Sequence, residues 1–145
     1  MNRMLSIAAV VIMAAVGTAW AGWWHCKSCE TAMDQVGIVN TAGLATLLNA
    51  KTPLVLLDAR TGKYDDGKRI PGALTLGPAA TNEEIAKVVP DRNALIVAYC
   101  ANPKCMASHH LALRLREAGY MNVLRYPAGI EGWVEAGHQV AEVKK

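Results

Sequence analysis

Two short runs of the chain are apolar at every position, Leu54-Val55-Leu56-Leu57 and Ala94 to Ala98. A strand with helices on both of its faces has no side to give to water, so these runs predict neighbouring strands of a covered parallel sheet. One ends in Asp58-Ala59-Arg60 and the other in Tyr99-Cys100. Around them the spacing becomes helical. Leu44, Leu47 and Leu48 share one face of a helix for which Thr41 is a suitable N-cap. Thr81 and Glu84 form a capping box ahead of Ile85, Val88 and Val89, and Pro90 stops that helix. Ala107, Leu111, Leu115 and Ala118 point inward from a third helix, with His110, Arg114 and Glu117 outward and Gly119 as its C-terminal cap. The turn-rich stretch Gly62 to Gly72 leads into a short strand around Leu74 to Leu76, and Val123 with Leu124 predicts a last one. Strands alternating with helices give a three-layer α/β domain with a central, mostly parallel sheet flanked by helices. Such sheets gather their sites at the C-terminal strand ends, where Asp58, Arg60 and Cys100 fall.

The N-terminus has a different pattern. Met1-Asn2-Arg3-Met4 is followed by the apolar run Leu5 to Gly17 and by Ala19-Trp20-Ala21, the layout of a secretory signal cut after Ala21. Left uncut, Leu5 to Trp24 would serve as a membrane anchor, with Trp20, Trp23 and Trp24 at the interface. The short, alanine-rich centre favours cleavage. Residues 1–21 are therefore expected to be a signal peptide, 22–35 a lead-in without clear period, and 36–141 the folded domain, periplasmic or secreted. The chain has 145 residues, 52% of them hydrophobic, enough for one core and one site. Its formal charge of +3 becomes +2 without residues 1–21, because Arg3 leaves 14 basic side chains against 12 acidic ones. That small, scattered excess argues against nucleic acid as a partner.

All four cysteines lie beyond the predicted cut, in two close pairs. Cys100 stands at the tip of a predicted buried strand and is followed by a tight loop, Ala101-Asn102-Pro103-Lys104, then Cys105 and Met106 ahead of a helix. Curled backbone amides and a helix N-terminus stabilise a thiolate or a bound anion, and Lys104 adds a positive charge. A thiolate there could take the outer sulfur of a donor such as thiosulfate and hold it as a persulfide. A cysteine closing a core strand can equally be a small apolar side chain. Asp58 and Arg60 read first as a pair bracing a strand end, with Arg60 also placed to supply a cation to the loop. Cys26-Lys27-Ser28-Cys29 suits a reversible disulfide, but with His25 it completes no closed metal site. No metal and no cofactor is implied.

The segments Leu56 to Arg60, Ile70-Pro71-Gly72-Ala73, Tyr99-Cys100, Gly119-Tyr120 and Gly129-Ile130-Glu131-Gly132-Trp133 resemble, in order, successive landmarks of a rhodanese domain. The resemblance implies a loop starting at Cys100 and sulfur transfer through a Cys100 persulfide. Many active members carry an arginine at the loop's end, where this chain has Cys105. A subset instead shows a tyrosine-cysteine pair, a second cysteine five residues on and a serine three further, as in Tyr99, Cys100, Cys105 and Ser108. Phosphatases of the same fold clamp phosphate with an arginine six residues after the cysteine, where this chain has Met106, which cannot form the bidentate fork.

These readings lead to an exported sulfurtransferase whose partners are a small sulfur-donor anion and a thiol acceptor, which could be a protein thiol. A membrane enters only if the N-terminal segment stays uncut. Two alternatives belong to other classes. One is a non-catalytic binding module in which Cys100 is locked to Cys105, and the other a thiol-disulfide oxidoreductase using Cys26 and Cys29.

Overall fold

The computed structural model describes residues 36–143. The expected signal peptide and the Cys26–Cys29 pair lie outside the described residues.

The elements run β1 (Gly37–Ile38), α1 (Thr41–Asn49), β2 (Leu54–Asp58), a 3-10 turn (Gly62–Tyr64), β3 (Lys68–Arg69), β4 (Leu74–Thr75), α2 (Asn82–Val88), β5 (Leu95–Tyr99), α3 (Ala107–Glu117), β6 (Val123–Tyr126), α4 (Gly129–Glu135) and β7 (Ala141–Glu142). Five strands form a parallel sheet in the order β1-β6-β5-β2-β4, and β3 pairs with β7 in a small antiparallel ribbon. Four helices flank the main sheet, so the chain has the three-layer α/β architecture that its pattern predicts.

The two all-apolar runs are the sheet's central strands. Alternate residues of β5 enter different layers: Ile96 and Ala98 join Leu57, Ile85, Leu111 and Leu115 on one side, while Val97 and Tyr99 join Leu56, Leu44, Ile130 and Trp133 on the other. With both faces covered, alternation has nothing to mark, which is why the runs are continuous.

The helix ends show how local chemistry sets the boundaries. The Thr81–Glu84 capping box forms as expected. At α1 the cap is Asn40, whose Oδ1 accepts the Gly43 N–H at 2.8 Å, and Thr41 becomes the first helical residue, its hydroxyl 2.8 Å from that of Tyr126. The expectation that Thr41 caps this helix is therefore corrected by one position. Asn holds the extended conformation and accepts the amide as well as Thr does, which frees Thr41 to tie α1 to β6. Gly119 follows α3 with φ +92°, and the Tyr120 N–H reaches back to Leu115 O at 3.1 Å, closing a Schellman turn. The strand read from Val123 and Leu124 is present as β6 but is not the last, because β7 follows it.

Candidate active site

Asp58 and Tyr99 are register partners on adjacent strands, so the ends of β2 and β5 deliver their side chains to one place. The Tyr99 hydroxyl donates to Asp58 Oδ2 at 3.0 Å and accepts the Ile70 N–H at 3.2 Å. Arg60 closes the cluster with Nη2 2.8 Å from Asp58 Oδ2, both side chains almost wholly buried. Its Nη1 donates to Asp66 at 2.9 Å and its Nη2 also to the Lys68 carbonyl. Burial alone would favour a neutral guanidinium, but the hydrogen bond and charge of Asp58, with Asp66 behind them, hold its pKa above the ordinary value. Burial first, then the negative charge of Asp58, pushes the Tyr99 phenol up as well. Three short sequence segments thus meet in one buried network directly behind Cys100. Arg60 is held in it through Nε, Nη1 and Nη2, and it also lines the cavity beside the Cys100 loop.

The loop after β5 is shaped from the other side by α4. The Ile130 and Glu131 N–H groups donate to the carbonyls of Cys100 and Ala101, each at 3.0 Å. This close approach requires glycine at 129: its φ is +67°, and a Cβ there would lie 2.5 Å from the Ala101 carbonyl oxygen and 2.6 Å from that of Cys100. Asn102 makes the turn, its Oδ1 accepting the Lys104 N–H and its carbonyl the Cys105 N–H, both at 3.1 Å, with Pro103 in the second position. Its Nδ2 donates to Glu131 at 2.9 Å. The carbonyls of Cys100, Ala101 and Asn102 are thereby taken up, whereas the N–H groups of Ala101, Asn102 and Met106 find no acceptor among the described residues. Met106 stands at the N-cap of α3 without a side-chain hydrogen bond, so the first-turn donors of that helix also lack a side-chain cap. Together these donors favour an anion or thiolate beside the loop.

Cys100 is 2% exposed at the floor of this loop, and its Sγ is bonded to Cys105 Sγ, with the two Cα atoms 6.2 Å apart. A cavity of about 490 Å³ opens on the pair, lined also by Arg60, Thr61, Tyr64, Pro78 and Lys104. Pro103, Lys104 and Met106 are exposed, and Ala101 and Asn102 half-buried. One residue that the sequence reading passed over is Arg125. Its Nε donates to the hydroxyl of the buried Ser108 at 3.1 Å, and its Nη2 lies 3.5 Å from the Cys105 carbonyl. A lone cation inside Val123-Leu124-Arg125-Tyr126 was the available signal: it stands opposite Ala98 in the sheet, near the C-terminal strand ends.

Comparison with known proteins agrees with this geometry. Among solved structures, a Bacillus halodurans protein superposes with a TM-score of 0.67 at 20% identity, over 80% of this chain and 85% of its own. The rhodanese-like domain of an Anabaena protein gives 0.63 at 19%, over 75% and 81%. Thiosulfate sulfurtransferase of Pseudomonas aeruginosa gives 0.63 at 23%, over 81% of this chain but 22% of the larger one. At such identities the likeness is one of fold. No curated protein gives a match. The family model of the rhodanese-like domain matches residues 41–136, which run from α1 through α4 and include the whole Cys100 loop, and the chain belongs to that family.

Proposed function

We propose that the chain is an exported sulfurtransferase that carries sulfane sulfur as a persulfide on Cys100. The observation that carries this reading is the placement of Cys100 at the end of β5, under a loop whose carbonyls are bonded to α4 and whose amides are left open beside a 490 Å³ cavity. The reactive enzyme is the dithiol form. The Cys100 thiolate attacks the outer sulfur of a donor such as thiosulfate, the donor's S–S bond breaks, and sulfite leaves with the electron pair. Open amides and the α3 N-terminus stabilise the resulting persulfide anion. Lys104 supplies a movable cation at the mouth, Asp58 and Arg60 brace the two strand ends, and Met106 offers no fork for a phosphoryl group. The cavity exceeds what a small oxyanion fills and has room for a thiol acceptor. Residues 1–21 are proposed to direct the domain out of the cytoplasm, and Cys26 with Cys29 to act as a redox pair for it.

A second reading has one observation in its favour, the bond between Cys100 and Cys105, which would make the domain a docking module with a locked cysteine. Sulfite release separates the two. Fully reduced protein mixed with thiosulfate should release about one sulfite per chain in the first turnover, and Cys100→Ser should release none. A locked module would give no sulfite even when reduced.

A further inference from the structure

We propose that Cys105 is the resolving nucleophile of this site: it attacks Sγ of the Cys100 persulfide, expels hydrosulfide and closes the Cys100–Cys105 disulfide. The chain would then reduce sulfane sulfur to sulfide at the expense of a dithiol. This rests on the reading of Cys100 as the sulfur carrier and adds the fate of the sulfur.

Position is the first argument. Cys105 Sγ lies at bonding distance from Cys100 Sγ, the inner sulfur of the persulfide, and the 6.2 Å between the Cα atoms falls within the span of an ordinary disulfide. The disulfide coexists with the α4 contacts to the Cys100 and Ala101 carbonyls and with the Asn102 turn, so closing it requires no change of the loop's frame. Attack on the inner sulfur is the step whose product is this bond. Attack on the outer sulfur would only pass the persulfide from one cysteine to the other.

Access is the second. Cys100 is 2% exposed, whereas Cys105 is half-buried. An external thiol reaches the inner sulfur poorly, but Cys105 is already held beside it, which replaces a bimolecular encounter by an intramolecular one. The same asymmetry orders the return step: a reductant meets Cys105 Sγ first, and the Cys100 thiolate leaves into the open amides of its loop.

Electrostatics is the third. Cys105 sits two residues before α3, whose N-cap lacks a side-chain bond, and the Arg125 guanidinium lies at its carbonyl. Both put positive potential beside the thiol and favour the thiolate that attack requires.

The balance is complete. Thiosulfate gives its outer sulfur to Cys100 and leaves as sulfite. The Cys105 thiol gives up its proton, which ends on the outer sulfur of the persulfide; its thiolate forms a bond to Cys100 Sγ, the bond from that atom to the outer sulfur breaks, and the electron pair departs with hydrosulfide. Two thiols lose two electrons and the sulfane sulfur gains them. An external dithiol then opens the disulfide through a mixed disulfide on Cys105 and is itself oxidised.

The test is a single turnover of pre-reduced protein with thiosulfate and no remaining reductant, reading sulfite, sulfide and the mass of the loop peptide. A C26S/C29S chain is used beside the wild type, so that sulfide released by those thiols is separated. The expected result is sulfite and sulfide in equal amounts, with a loop peptide two hydrogens lighter. In Cys105→Ser the reaction should stop at the peptide carrying one extra sulfur, and the sulfide yield should fall at least about tenfold. Added cyanide should then collect that sulfur as thiocyanate. Sulfite without sulfide from the C26S/C29S chain, with a lasting persulfide and a free Cys105, would overturn the inference and leave the sulfurtransferase reading standing. Absence of sulfite from every chain would overturn both.

Discussion

The hydroxyl of Tyr99 bridges Asp58 Oδ2 at 3.0 Å and the Ile70 N–H at 3.2 Å, and the next residue in the chain is Cys100. One buried oxygen therefore joins the end of β2, the end of β5 and the Ile70-Pro71-Gly72 turn. Replacement by phenylalanine keeps the ring's packing but leaves a buried amide without an acceptor and Asp58 short of a donor. Tyr99→Phe should cost about 1–3 kcal/mol, measured as a shift of the urea midpoint at unchanged slope.

That cost should depend on pH in one direction. Burial and the charge of Asp58 raise the Tyr99 pKa above its ordinary value of 10.0 in the folded chain, so folding favours the neutral phenol. The contribution is fully present below the unfolded pKa and is lost as pH rises above it toward the folded one. The stability difference between wild type and Tyr99→Phe should thus be flat from neutral pH to about 10 and shrink beyond it. Urea titrations across that range measure this, and a difference that grew with pH would contradict the assignment.

Gly129 contributes through what it lacks. A methyl group there would press on the Ala101 and Cys100 carbonyls while the backbone stays at φ +67°. Gly129→Ala should lose about 1–2 kcal/mol from the left-handed conformation alone, and more as the loop is pushed off α4. Because the displaced atoms carry Cys100, the rate of first-turnover sulfite release should fall well beyond what the unfolded fraction explains. Gly72→Ala is the control. It has φ +82° with no atom within 4 Å of the added carbon, and should show the conformational cost without the loss of rate.

The long apolar runs, the α2 capping box and the face of α3 were legible because each is a repeated or paired signal, and the order of the motifs around Asp58, Tyr99 and Gly129 pointed to the family. Other parts left no such trace. β1, β3 and β7 are two residues long, too short for alternation to show, and exist because a neighbouring strand supplies their hydrogen bonds. Helix α4 opens with a glycine at positive φ and contains Gly132, so propensity argued against it. Its N–H bonds to the Cys100 loop and the burial of Trp133 hold it in place. The commitment of Arg60 to Asp58 and Asp66, and the reach of Arg125 to Ser108, are contacts across the fold that no local spacing encodes.

The Cys100–Cys105 bond closes a very short loop, which limits its value as a staple. Chain entropy assigns it about 2 kcal/mol, near the bottom of the usual range. Reduction should therefore lower the stability of a C26S/C29S chain by no more than about 2 kcal/mol. Urea unfolding with and without a phosphine reductant measures it. A much larger loss would mean that the bond organises the fold.

Asp58 and Arg60 offer a way to separate bracing from ligand binding. Removing one member of a buried pair leaves its partner's charge poorly compensated, so Asp58→Asn and Arg60→Met should each cost about 3–5 kcal/mol, with Asp66 easing the first because it still contacts the guanidinium and Arg69, whose Nε lies 4.0 Å from Asp58 Oδ2, easing the second. The double variant should be more stable than the sum of the singles predicts, by about 1–3 kcal/mol, since it buries no orphaned charge. Kinetics then decide the role of Arg60. Four of its five N–H donors are engaged by Asp58, Asp66 and the Lys68 carbonyl. In the folded fraction of the double variant the KM for thiosulfate should accordingly stay within about twofold of wild type. If Arg60 instead gripped the donor, KM would rise at least about tenfold in both chains that lack it, and the double substitution would restore stability without restoring KM.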